Sequence, residues 1–285
     1  AIKLIRSGGN PPRQYRLQCL RGLQSKPAVI GGRVPLQVTR GRQLLFAPLS
    51  WIPLFYCESE SPVSESPSQV ATIVSVPFEE NTYILHLPGR SDCLVIDPGL
   101  EPRKIFEYLD THQLVPAAIL CTHGHSDHIA GNADLKARWP DCPLVIGAGD
   151  AVKLTDPVLN LSAGFGVHLV SPPADKTVQE GDLFEAAGFR LEVLETPGHS
   201  SGHIVFVDRS SSPIQVLGGD VLFQGSVGRT DFEDGDFDQL RTSIHEKLFP
   251  LPETTVVLPG HGPPTTIGAE KRSNPFVGLP AGYTD

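Results

Sequence analysis

Thr122-His123-Gly124-His125-Ser126-Asp127-His128 restricts the fold of this chain more than any other segment, because it places three imidazoles and one carboxylate within six residues. Such groups are costly to bury unless they are paired or bound to a cation. Imidazole together with carboxylate is the donor set of a borderline cation such as Zn²⁺. The segment follows an apolar run over 117–121 that predicts a buried strand, and it precedes a pattern over 129–139 that predicts a helix. The fold must therefore bring a strand end to an edge where a polar loop can face a ligand. His123 and His125, two residues apart, can project to one side of an extended loop. Asp127 and His128, at the start of the following helix, can point to a second ion, and two neighbouring ions suit this spacing.

Two ions need more donors, and later turns offer them. His199 follows Thr196-Pro197-Gly198, Asp220 follows Leu217-Gly218-Gly219, and His261 follows Leu258-Pro259-Gly260. Each lies in a glycine-containing turn just after an apolar β run, and strand ends that converge on one sheet edge are where α/β proteins build sites. His203, four residues after His199, opens a strand and is expected to support the site rather than to bind metal. His86, His112, His168 and His245 stand alone and are expected at the surface.

The rest of the chain alternates strand and helix signals. Strands are expected over 70–76, 82–87, 93–96, 117–121, 144–146, 190–195, 203–207, 214–217 and 255–258. Helices are expected over 102–109, 129–139 and 237–248, the last with Leu240, Ile244 and Leu248 at four-residue spacing. This order predicts an α/β layered domain over 70–285. Residues 58–69 are a Ser/Pro/Glu linker of low complexity. Residues 1–57 hold nine Lys and Arg and no Asp or Glu, whereas the remainder holds fourteen against thirty-two. The basic segment has neither helical nor strand periodicity and is expected to be an unstructured extension. It suits a targeting segment, translation from a misplaced start, or a tail with a binding role. The acidic body argues against nucleic acid as partner. No apolar stretch reaches the roughly 20 residues of a membrane-spanning helix. Five cysteines without a CxxC pair suit a reducing compartment; a cytoplasmic location is expected, or an organelle or export if residues 1–57 are a targeting segment. Cys93 and Cys121 sit in apolar runs and are expected in the core.

His123-x-His125-x-Asp127-His128, followed in order by His199, Asp220 and His261, resembles the metal signature of the metallo-β-lactamase fold hydrolases over about residues 70–276. The resemblance implies a four-layer αβ/βα sandwich. It assigns His123, His125 and His199 to one metal, Asp127, His128 and His261 to the other, and Asp220 to a bridging position. Asp97, in Ile96-Asp97-Pro98-Gly99, matches the aspartate that orients a histidine ligand. It also implies two divalent cations, with zinc expected and iron or manganese as alternatives. The stretch 219–232, with Gly228-Arg229-Thr230-Asp231-Phe232, and the ending Pro259-Gly260-His261-Gly262-Pro263 are most similar to compact, bacterial-type glyoxalase II-like proteins. These lack the C-terminal helical domain with which the longer type contacts glutathione. The implied substrate is a small-molecule thioester such as S-D-lactoylglutathione. Water acidified by the metals would attack its carbonyl, with Asp127 both a ligand and a hydrogen-bond partner of that nucleophile. Arg229 is a candidate for a substrate carboxylate, or for a salt bridge to Asp231 or Asp234. A mononuclear-iron persulfide dioxygenase of the same fold is the rival activity, and hydrolysis of another ester or a lactone is a further alternative. Oligomeric state is left open.

Overall fold

Apolar side chains on both faces of the central strands determine the architecture. A computed structural model describes residues 68–284. Its first sheet has the order β1 (Gln69–Ser75), β2 (Glu80–His86), β3 (Asp92–Ile96), β4 (Val115–Cys121), β5 (Leu144–Gly147), β6 (Lys176–Val178). The second runs β14 (Thr265–Thr266), β13 (Val256–Pro259), β10 (Gln215–Gly219), β9 (Ile204–Asp208), β8 (Phe189–Glu195), β7 (Leu183–Ala186). A two-stranded ribbon, β11 (Leu222–Phe223) with β12 (Ser226–Val227), lies apart from them.

Alternation along each strand divides the core into layers. Leu94 and Ile96 of β3, Ala118 and Leu120 of β4, and Ile204 and Phe206 of β9 meet in the cluster between the sheets. Cys93, Val95, Ile119 and Cys121 point the other way, onto Ile105 and Leu109 of α1 (Pro102–His112) and Leu135 of α3 (Asn132–Arg138). On the far side, Val205, Val207, Val216 and Val257 pack against Leu240 of α4 (Phe237–Ser243) and Ile267 of α5 (Ile267–Ser273). Helix, sheet, sheet and helix are therefore the four layers, as the α/β sandwich expectation requires.

Strand directions gather the site. β3, β4 and β5 are parallel, and β2 is antiparallel to β3, so the start of β2 shares an edge with the ends of β3 and β4. β8 and β10 are each antiparallel to β9, and β13 is parallel to β10, so their carboxyl ends share one edge of the second sheet. The edges are tied together by Ile204 N–H donating to Thr122 O (2.9 Å), Asn81 N–H to Gly260 O (2.7 Å) and Tyr83 OH to Pro259 O (2.8 Å).

Several expectations shift. The helix expected over 129–139 is broken into α2 (Ser126–Ile129) and α3. At the break, Gly131 N–H donates to Pro98 O at 2.7 Å, and a Cβ there would press on the Pro98 and Gly99 carbonyls. The helix expected over 237–248 is α-helical only to Ser243; Ile244–Leu248 widens to i→i−5 bonding, with Phe249 N–H on Ile244 O at 2.9 Å, and keeps Ile244 and Leu248 buried. Helix α1 runs on to His112, and β6, β7, β14 and α5 carry too short a pattern to be foreseen. His86 is buried in β2 beside Tyr108 rather than at the surface. Cys93 and Cys121 are in the core, as expected. The readings of residues 1–57 and nearly all of the linker lie outside the described residues, and the first strand starts at Gln69. Among the described residues no helix is long and apolar enough to cross a membrane.

Candidate metal centre

Every residue expected at the metals lies at the shared strand edge. The loop after β4 carries His123 and His125, and α2 carries Asp127 and His128. The turns after β8, β10 and β13 bring His199, Asp220 and His261. One donor atom from each of His123, His125 and His199 falls within 4.8 Å of the others, and the same holds for Asp127, His128 and His261. Asp220 spans the two trios: its Oδ2 is 3.5 Å from His199 Nε2 and 3.5 Å from His261 Nε2, and its Oδ1 is 3.4 Å from His128 Nε2.

In four of the five imidazoles the outer nitrogen is tied to the protein, and this selects which nitrogen faces inward. Asp97, just after β3, accepts Thr122 N–H on Oδ1 (2.7 Å), and Thr122 Oγ1–H (2.7 Å) and His128 Nδ1–H (3.1 Å) on Oδ2. Thr122 Oγ1 in turn accepts His123 Nδ1–H at 3.1 Å. His199 Nδ1–H donates to Arg229 O (2.7 Å) and His261 Nδ1–H to Phe78 O (3.0 Å). These four rings therefore aim the lone pair of Nε2 into the centre. His125 is turned the other way, with Nδ1 2.9 Å from His199 Nε2. His203 has both nitrogens engaged, Nδ1 with Thr196 Oγ1 (3.1 Å) and Nε2 accepting from Asp220 N–H (3.0 Å). It holds the Asp220 backbone and has no lone pair left for a metal. Asp97, His123 and His128 also cluster, but Asp97 is already filled by three donors.

Two observations test whether divalent metals fit. His123 Nε2 and Asp220 Oδ1 are buried without a hydrogen-bond partner, a costly state that a cation relieves. The charges also suit a cation. Burial pushes His123 well below the ordinary imidazole value and His125 down to about 3, and nearby imidazoles push the same way, so both offer lone pairs. Burial opposes ionisation of His128 as well, yet Asp220 and Asp127 outweigh it and raise that imidazole well above its usual range. For His261, burial is outweighed by hydrogen bonds to Asp127 and Asp220, which lift it to about 10. Buried Asp220 and half-buried Asp127 thus draw protons onto the second trio wherever a metal does not neutralise them. The residues fit two divalent cations. They do not select zinc over iron.

Glycine is required where the ligands crowd. A Cβ at Gly219, whose φ is +46°, would overlap Thr122 Oγ1 and His203 Nε2, and one at Gly260 would overlap Asp220 Oδ1 and His128.

The Arg229 guanidinium forks onto Asp231 at 2.9 and 2.8 Å in the open, and stacks over Phe232 at 4.6 Å. Asp234 instead takes Lys153 at 2.6 Å. Arg229 serves the centre through its backbone carbonyl.

A clamp behind the first trio has no counterpart among the expected residues. Buried Asp150 accepts Gly124 N–H (2.8 Å) and Ser200 Oγ–H (2.5 Å) on Oδ2, and Gly202 N–H (2.8 Å) on Oδ1. It also pairs with buried Lys153 at 3.2 Å. The loop of His123 and His125 is thereby fastened to the loop of His199. In sequence Asp150 is a lone aspartate among small and apolar residues, Gly147-Ala148-Gly149-Asp150-Ala151-Val152, with no neighbouring donor to mark it.

Residues 76–261 match the family model described as the metallo-beta-lactamase superfamily. The chain is 41% identical over 202 residues to a probable metallo-hydrolase, YqgX, of Bacillus subtilis, covering 70% of this chain and 93% of that protein. It is 36% identical over 203 residues to the hydroxyacylglutathione hydrolase GloC of Haemophilus influenzae, again covering 70% and 93%. The crystal structure of TTHA1623 in a di-iron-bound form superposes with a TM-score of 0.64 at 38% identity, covering 73% of this chain and 100% of that one.

Proposed function

The chain belongs to the metallo-beta-lactamase superfamily, and we propose that within it this metal-dependent hydrolase cleaves a thioester to a carboxylic acid and a thiol. The observation that carries this reading is Asp220, whose two oxygens reach into both trios and make them one centre. His123, His125 and His199 would hold one cation, Asp127, His128 and His261 the other, and Asp220 would touch both. When bound, the pair would acidify a water and polarise a carbonyl oxygen.

The chain's own residues do the rest. Asp127 lines the cavity, with its Oδ2 3.5 Å from His261 Nε2. In the metal-free chain His128 and His261 hold its carboxyl below the usual range against burial, and as a carboxylate it can accept a hydrogen bond from the attacking water. Asp97 and the Arg229 and Phe78 carbonyls keep the ring nitrogens in the required tautomers. His203 holds the Asp220 backbone in place. A thiolate leaves readily near neutral pH, so the absence of a Lys, Tyr or Ser proton donor from this set is no obstacle to a thioester. Similarity to GloC supports the thioester class.

The test is thiol release from S-D-lactoylglutathione by the zinc-loaded full chain. Release that is abolished by chelator and by Asp127→Ala is expected. Protein shown to hold two metals yet inert toward every thioester would overturn the reading, and oxygen consumption on a persulfide by the iron-loaded protein would replace it. Zinc is the first metal to load, and the di-iron form of TTHA1623 makes iron the second.

A further inference from the structure

The cavity over the metal centre has a volume of about 310 Å³, and its non-ligand wall is built largely of Phe78, Leu161, Phe165, Phe223 and Phe232. The apolar surface starts at the donor residues themselves. Phe232 lies edge-on 5.2 Å from the His125 ring and 5.8 Å from His199, and Phe223 is 6.2 Å from His261. At the mouth, Phe78 and Phe165 meet edge to face at 5.3 Å while remaining 40% and 64% exposed. Two large rings held in water beside a polar centre do not serve the core.

The segment that presents them is built into the site. Leu161 has φ +69°, a conformation rare for a bulky residue. It is held between Asn160, whose buried amide donates to Leu169 O at 2.9 Å, and Ser162, whose N–H donates to Asn160 Oδ1 at 3.0 Å. Asn160 O in turn accepts Ser126 N–H at 2.9 Å, inside the metal loop.

Charge points the same way. Arg229 is the one Lys or Arg among the described residues that line the cavity, and Asp231 already occupies its fork. Apart from bound metals, an anionic substrate group would find no unpaired cation on this wall. An apolar cavity of about 150 Å³ suffices to hold benzene, so this one has room for a ring together with the reacting carbonyl.

We propose that the substrate presents a compact, uncharged apolar acyl group, aryl or branched alkyl, to the phenylalanine wall, and that the enzyme prefers such thioesters over lactoyl or multiply charged glutathione conjugates. The proposal rests on the thioester hydrolase reading and specifies its substrate class. Phe165 and Phe78 are the specificity-determining side chains.

The test uses the zinc-loaded full chain and three thioesters of one neutral thiol, N-acetylcysteamine, bearing phenylacetyl, acetyl or lactoyl groups. Removing a ring from water is worth roughly a 10- to 150-fold preference. The kcat/KM for phenylacetyl should exceed that for acetyl and lactoyl by at least about tenfold, and Phe165→Ala, at an exposed position, should cut the phenylacetyl-to-acetyl ratio several-fold. Ratios near one, or S-D-lactoylglutathione cleaved better than the phenylacetyl thioester, would overturn the substrate class and leave the hydrolase standing. Calorimetric binding of phenylacetate against acetate separates the two conclusions. If no thioester turns over, phenylacetate binding at least about tenfold tighter, weakened by Phe165→Ala, keeps the apolar subsite while the thioesterase reading falls; equal affinities overturn the subsite as well.

Discussion

Replacing Asp97 with asparagine is expected to weaken the second metal position selectively. Asp97 has φ +47°, a region asparagine tolerates, so backbone and volume are conserved and only the acceptors change. The carboxylate serves three donors, Thr122 N–H at 2.7 Å, Thr122 Oγ1–H at 2.7 Å and His128 Nδ1–H at 3.1 Å. Asparagine has one carbonyl oxygen. If that oxygen stays on Thr122 N–H, the amide NH₂ faces His128 Nδ1, which must then give up its proton. The proton moves to Nε2, the atom 3.3 Å from His261 Nε2 and 3.4 Å from Asp220 Oδ1, and the lone pair for the metal is lost. Disturbing the group that orients a metal-binding histidine costs roughly 10- to 100-fold in metal affinity, or about 1.4–2.7 kcal/mol. The metal-free fold should lose about 1–3 kcal/mol for the unmet donors. Zinc titration against a chromophoric chelator resolves the two affinities. The one assigned to Asp127, His128 and His261 should fall by the larger factor, and the other should change less, because Thr122 Oγ1 can still accept from His123. Equal losses at both positions, or unchanged affinities in a merely destabilised protein, would refute the argument.

Asp150→Asn removes the charge beside buried Lys153 and one acceptor from the clamp; Asp234 still pairs with the lysine, so a loss of about 3 kcal/mol in denaturant unfolding is expected. Gly260→Ala would drive a methyl group into Asp220 Oδ1 and His128, and elemental analysis should find one tightly held metal per chain where two are expected for the parent. In metal-stripped protein, His261 is raised to about 10 from an unfolded value near 6.5. Its contribution to stability is complete below pH 6.5 and lost as pH rises through 10. Zinc must displace that proton, so apparent affinity should climb with pH between those values, and calorimetry in buffers of different ionisation enthalpy should register proton release at pH 7.5. Truncating Phe206, fully buried between the sheets, to alanine should cost about 3–5 kcal/mol in unfolding whether or not metal is bound.

The sequence by itself determined the layered α/β class and named the residues that the fold gathers at the strand edge. The layers were legible because Leu94, Val95 and Ile96, or Ile119, Leu120 and Cys121, are apolar on successive positions, the pattern of a short strand covered on both faces. The donors were legible because His123, His125, Asp127 and His128 are local in sequence, and because His199, Asp220 and His261 each follow an apolar run through a glycine. Tertiary structure alone decided what each donor does. Which imidazole nitrogen faces inward depends on Asp97, the Arg229 carbonyl and the Phe78 carbonyl, partners 31, 30 and 183 residues away. That Arg229 forks onto Asp231 turned on the course of an exposed loop with no periodicity to read. Asp150 becomes a clamp, and five scattered apolar residues become one wall, only when strands from two sheets end at the same edge. Periodicity reports which face of an element is buried; contact across the chain determines tautomer, charge pairing and cavity shape, and those set the chemistry.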